Sequence, residues 1–77
     1  MLPPNSLDAA LRQWRSQQAT QENRPLRSII TDRAIHQLID SMPANDVELG
    51  SIHGLDSIKL EQYGPHLLKL IKPYRNG

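Results

Sequence analysis

Thr31-Asp32-Arg33-Ala34-Ile35-His36-Gln37-Leu38-Ile39-Asp40-Ser41-Met42-Pro43 (residues 31–43) is the stretch whose reading decides the fold. Its apolar residues Ile35, Leu38, Ile39 and Met42 recur at three- and four-residue spacing, which lines one face of a helix and not one face of a strand. Thr31 stands where a side-chain oxygen can accept from a free amide of the first turn. Asp32 puts negative charge at the positive end of the helix dipole. Pro43 ends the segment, because its ring disfavours helical geometry in the residue before it and it has no N–H to extend the ladder.

The same helical pattern extends to both sides. Upstream, Leu7, Ala10, Leu11 and Trp14 form an apolar stripe, with Arg12, Gln13, Ser16 and Gln17 around the rest of the circumference. Asn5 or Ser6 is placed to cap this helix, Asp8 lies near its positive end, and it is predicted to run to about Gln21. Asn23-Arg24-Pro25 is its stop signal. Leu26, Ile29 and Ile30 are too few for a free-standing element and predict one tight helical turn that plugs the core. Downstream, Asn45 and Glu48 have capping-box spacing and open a short helix through Val47, Leu49 and Ile52. Gly54-Leu55-Asp56-Ser57 is a turn in which Asp56 or Ser57 caps the next helix, carrying Ile58 and Leu60. Gly64 is expected to close that helix and Pro65 to open a last one. This last helix carries Leu67, Leu68, Leu70 and Ile71 and is expected to stop before Pro73.

No stretch alternates in the manner of a strand. The expected fold class is therefore all-α: a compact bundle of about five short helices over residues 7–72. Residues 1–6 are expected to be an N-terminal tail or linker and residues 73–77 a C-terminal tail. A chain of 77 residues makes one domain and buries only roughly 60% of the surface its unfolded form exposes. There is no cysteine, which removes disulfides, thiolate zinc sites and cysteine nucleophiles together and fits a reducing cytoplasm. With no phenylalanine, the core must be aliphatic, with Trp14 as its one large piece. No apolar run approaches a membrane span, and Met1-Leu2-Pro3-Pro4 lacks the pattern of a signal peptide.

Net charge is only +1, too little by itself to announce a nucleic-acid partner. Its order along the chain says more. Residues 1–33 hold Arg12, Arg15, Arg24, Arg27 and Arg33 against Asp8, Glu22 and Asp32. Residues 34–61 hold Lys59 alone against Asp40, Asp46, Glu48, Asp56 and Glu61. Residues 62–77 hold Lys69, Lys72 and Arg75 with no acid. Basic ends thus flank an acidic middle.

Constellations that carry chemistry are missing. His36, His53 and His66 lack metal-ligand spacing. The carboxylates of the middle third sit largely at helix starts, where capping and dipole compensation account for them. No serine has the context of a nucleophile elbow and no glycine-rich loop could cradle a nucleotide. The fragment is read as a non-enzyme with no cofactor, no metal, no small-molecule substrate and no membrane partner, monomeric in isolation. Trp14 is assigned to the core, Arg15 is expected to pair with an acid that pins two helices, and the Tyr63 hydroxyl to reach a neighbouring backbone group.

Several segments resemble one known family in their order and spacing. Leu11-Arg12-Gln13-Trp14-Arg15 is similar to the first-helix signature of the HRDC domain, the helicase-and-RNase-D C-terminal module. The run from Asn23 to Asp32 resembles its proline-bearing connection. Met42-Pro43 with Leu49-Gly50-Ser51-Ile52-His53-Gly54-Leu55 resembles its short helix and glycine turn, and Lys59-Leu60-Glu61-Gln62-Tyr63-Gly64 its closing signature. The resemblance covers roughly residues 7–72 and is greatest to the module of bacterial RecQ DNA helicases, with an RNase D-type exonuclease as the alternative parent.

The resemblance implies a five-helix bundle that binds single-stranded or branched DNA weakly, for a cytoplasmic, nucleoid-associated ATP-dependent helicase of recombination and repair. Arg24, Arg27, Arg33 and Lys59 are the expected phosphate contacts. Two positions depart from the family pattern. Arg27 stands where relatives often carry an aromatic residue able to stack on a base. Asp56 stands where a second glycine is common, and its carboxylate would repel a phosphate at that turn. Asp40, Glu48, Asp56 and Glu61 are accordingly expected to form a regulatory surface that docks on the helicase core or neighbouring domains of the parent chain. The alternative function is a protein-interaction module that does not contact DNA.

Overall fold

The computed structural model describes residues 4–75, with side chains from residue 6 onward. Five helices follow one another: α1 (Pro4–Glu22), α2 (Leu26–Ile29), α3 (Asp32–Ser41), α4 (Asp46–Leu49) and α5 (Ser57–Arg75). No strand occurs among the described residues, so the all-α expectation holds. Of the expected tails, residues 1–3 and 76–77 lie outside the described residues.

Local chemistry sets most of the boundaries. Thr31 Oγ1 accepts from the Ala34 amide at 3.1 Å and caps α3. Asn45 Oδ1 accepts from the Glu48 amide at 3.0 Å and caps α4, while Glu48 Oε1 reaches back to the Ala44 amide at 2.6 Å. Asp56, rather than Ser57, caps α5 by accepting from the Lys59 amide at 2.9 Å. These bonds satisfy amides that a helix start otherwise leaves unpaired. At the far end of α1, Asn23 takes a left-handed conformation (φ 54°). The Arg24 amide then donates to Ala19 O at 3.0 Å and the Asn23 amide to Thr20 O at 3.3 Å. That pair of bonds is a Schellman closure, and it turns the chain into Pro25.

The core is aliphatic apart from Tyr63, and Trp14, expected as its one large piece, is not within it. Leu7 and Leu11 of α1, Ile29 and Ile30 after the Pro25 turn, Ile35 and Leu38 of α3, Leu49 of α4 and Leu67 and Ile71 of α5 are all buried. Each such side chain contributes about 1.5–3 kcal/mol on leaving water. Trp14 is half-buried at the edge of this cluster and meets the buried Tyr63 ring edge-on, centroids 5.4 Å apart. The α1 helix packs against α2, α3 and α5, and α4 packs on α5. A Cα radius of gyration of 11.5 Å matches that of a globular domain of this length.

Three expectations are corrected. First, α1 already includes Asn5 and Ser6, so neither is its cap. Second, Gly64 does not end a helix: α5 runs unbroken through Gly64-Pro65 and through Pro73. Pro65 cannot donate to the Glu61 carbonyl, but Glu61 and Pro65 lie on the exposed side, where water can serve that carbonyl. Tyr63, Gly64, Leu67 and Ile71, buried on the other side, hold both halves in one line. Third, the Tyr63 hydroxyl donates to the carboxylate of Glu22 at 2.6 Å, not to backbone.

Candidate nucleic-acid interface

The Schellman turn, α2 and the start of α3 bring Arg24, Arg27 and Arg33 around one exposed ridge, Pro25-Leu26. An open groove of about 700 Å³ lies on one side of the ridge, lined by Arg15, Arg27, Thr31, Asp32 and Arg33. A second, of about 590 Å³, lies on the other side and includes Arg24, Asn23 and Thr20. Leu26, 46% exposed, forms the crest. Arg27 and Arg33 have no carboxylate within ion-pair distance among the described residues. Both are free to meet an anion.

Arg24 is differently placed. Its Nη1 donates to Glu22 Oε1 at 3.1 Å and its Nη2 to the Ser28 carbonyl at 3.5 Å, so it braces the turn. Glu22 also accepts from Tyr63 and from Gln18 Nε2 at 3.1 Å. The Tyr63 hydrogen bond, ahead of the contributions from Gln18 and Arg24, holds the Glu22 carboxyl below its ordinary range. Burial first, and the anionic partner second, push the Tyr63 hydroxyl up to about 12. Lys59 lines neither groove. It sits on the first turn of α5 beside the Asp56 cap.

Arg15 pairs with an acid, as the sequence suggested, and the acid is Asp32 at the start of α3. The Arg15 Nη1 donates to Asp32 Oδ1 at 2.7 Å and to the Ile30 carbonyl at 3.1 Å. This hydrogen bond, with the attraction of the Arg15 charge, holds the Asp32 carboxyl below its ordinary range. Arg12 joins through Asp32 at 3.6 Å and through Asp8 at 2.7 Å.

Asp40, Glu48, Asp56 and Glu61 belong to different elements, and all four are exposed. Glu48 and Asp56 are occupied in capping α4 and α5. Asp40 borders a shallow depression with Ser51 and Ile52. Val47 (85% exposed) and Ile58 (67% exposed) stand beside Glu48 and near Asp56 in the chain. The glycine turn adjoins the N-terminus of α3: a Cβ on Gly54 (φ 87°) would stand 4.0 Å from Thr31 Oγ1. Among the described residues no group of three His, Asp or Glu side chains could hold a metal, and no helix is long and apolar enough to cross a membrane.

Two residues at this interface escaped the sequence reading: Arg15 as part of the groove wall, and Glu22 as the brace of Arg24. Nothing local marks Glu22, whose key partner Tyr63 is 41 residues away.

Known proteins share this fold. The chain is 35% identical over 69 residues to the ATP-dependent DNA helicase RecQ of Haemophilus influenzae, covering 90% of this chain and 11% of that protein. It is 34% identical over 62 residues to the ATP-dependent DNA helicase UvrD2 of Mycobacterium tuberculosis, covering 80% of this chain and 9% of that one. The chain therefore spans about a tenth of the length of these relatives. Among solved structures, the D. radiodurans RecQ HRDC domain 3 superposes with a TM-score of 0.88 at 24% identity, covering 99% of this chain and 100% of that one. The sequence profile of the HRDC domain matches residues 5–71. By that match and by its fold, the chain belongs to the HRDC domain family.

Proposed function

We propose that this domain is the accessory nucleic-acid-binding module of a RecQ-type, ATP-dependent DNA helicase acting in a bacterial cytoplasm, and that it carries no chemical step itself. Its ligand is single-stranded or branched DNA, held weakly. The observation that carries the reading is the groove beside Pro25-Leu26, where Arg27 and Arg33 are both unpaired among the described residues. Phosphate contacts of this kind position a strand without reading its sequence. Arg24 and Lys59 take lesser parts, the first because Glu22 already holds it and the second because it stands apart.

Titration of the isolated domain with single-stranded DNA at two salt concentrations tests this. Affinity should fall as salt rises, and Arg27→Ala and Arg33→Ala should each lower the salt slope by about 0.7. Salt-independent affinity, or none, would contradict it.

A second reading is supported by the exposed Val47 and Ile58 among Glu48, Asp56 and Glu61. An acidic surface bearing apolar side chains suits a basic surface of the parent chain. Neutralising Glu48 and Glu61 in the full protein should then change its DNA affinity while leaving that of the isolated domain nearly unchanged.

A further inference from the structure

We propose that Asp32 is an internal counter-anion of the groove, which holds Arg15 in the free domain and yields it to a phosphodiester of a bound single strand. The inference rests on the nucleic-acid reading above and adds to it a fifth cation and a built-in competitor.

Arg15 is 6% exposed, and its Nε is buried with no hydrogen-bond acceptor. A guanidinium so placed is costly unless an anion meets it. Yet Arg15 also lines the open groove with Arg27 and Arg33, so its charge is presented to whatever enters. The two halves of its ion pair are unequal. The Arg15 side chain is 8% exposed and the Asp32 side chain 67%. The base is fixed and the acid is solvated, so the carboxylate is the partner that can exchange.

Asp32 also stands where an incoming phosphate would be received. Its Oδ1 lies 2.7 Å from Arg15 Nη1 and 3.6 Å from Arg12 Nη1. It opens α3, a helix of 10 residues whose first amides lack intrahelical partners. Of the charged side chains lining the groove, Arg15, Arg27 and Arg33 attract a phosphate and Asp32 alone repels it.

A purely structural Asp32, pinning α3 to α1, and a counter-anion differ in the salt dependence they predict for Asp32→Asn. The amide keeps the size and the acceptor oxygen but removes the charge. Both roles lower the melting temperature. Both also tighten binding of an oligothymidylate, roughly two- to fivefold, the effect of removing one exposed charge beside a phosphate. Only the counter-anion steepens the salt slope, by up to about 0.7, because no freed carboxylate is left to take up a cation when Arg15 meets the phosphate.

If wild type binds, Arg27→Ala weakens it and folded Asp32→Asn keeps the wild-type salt slope, the inference is overturned and the nucleic-acid reading stands. If neither wild type nor Asp32→Asn binds, both fall. Should Asp32→Asn fail to fold, the Arg15 Nε–H resonance of the wild-type domain decides. It should move on saturation with the oligothymidylate, and an unmoved resonance would overturn the inference.

Discussion

The Tyr63 hydroxyl and the Glu22 carboxylate join the end of α1 to the middle of α5 across 41 residues of sequence. Tyr63→Phe removes a hydrogen bond to a charged acceptor that water still partly serves, so the expected loss is about 1–2 kcal/mol of stability. The pair also sets a pH dependence. The ordinary tyrosine pKa of 10.0 is raised to about 12 in the fold, so between those values the unfolded chain loses the proton first. Stability is full below pH 10 and falls as pH climbs towards 12, a decline that Tyr63→Phe should lose in alkaline melts. On the acid side the signs reverse. Glu22 and Asp32 have folded pKa values below their ordinary 4.5 and 3.8. Their contributions are complete above those values and fade as pH falls through the lowered ones. Glu22→Gln should flatten the acid limb of the melting curve. Arg15 could be read from the sequence because it follows Trp14 on the apolar stripe of α1. Glu22 could not, because only the closed fold brings Tyr63 to it.

The starts of α3, α4 and α5 were legible because each is a local event. Thr31, Asn45 and Asp56 accept from amides three residues onward, a relation the sequence spacing displays directly. Asn45→Ala should cost about 1 kcal/mol, measured by denaturant unfolding. The continuity of α5 was not legible, since Gly64-Pro65 has the local form of a helix end. Burial of Tyr63, Leu67 and Ile71 on one face outweighs the lost hydrogen bond at Pro65. This difference yields a sharp test. A Cβ at Gly64 would lie 3.7 Å from Leu49 Cδ1 and 3.8 Å from Asp46 Oδ1, ordinary contact distances. Gly64→Ala should therefore change stability by less than about 1 kcal/mol, the helix-propensity gain being offset by crowding of the new Cβ against the Pro65 ring. Were Gly64 a left-handed helix end, alanine would destabilise by more than that.

Across the whole molecule, the basic first third of the chain becomes one surface because the Schellman turn, α2 and the start of α3 converge on Pro25-Leu26. Charge order along the chain showed that arginines were concentrated there, but not which would be free. Arg27 and Arg33 remain open to an anion, Arg24 and Arg15 are held by Glu22 and Asp32, and Lys59 stands apart. Which arginines meet carboxylates depends on helix packing, a property no local spacing carries. Amide chemical-shift mapping of the isolated domain with an oligothymidylate tests the nucleic-acid reading most directly. The expected result is a cluster of shifts over Leu26–Arg33 that shrinks as salt is raised. Shifts confined to α4 and the first turn of α5, or none at all, would contradict it.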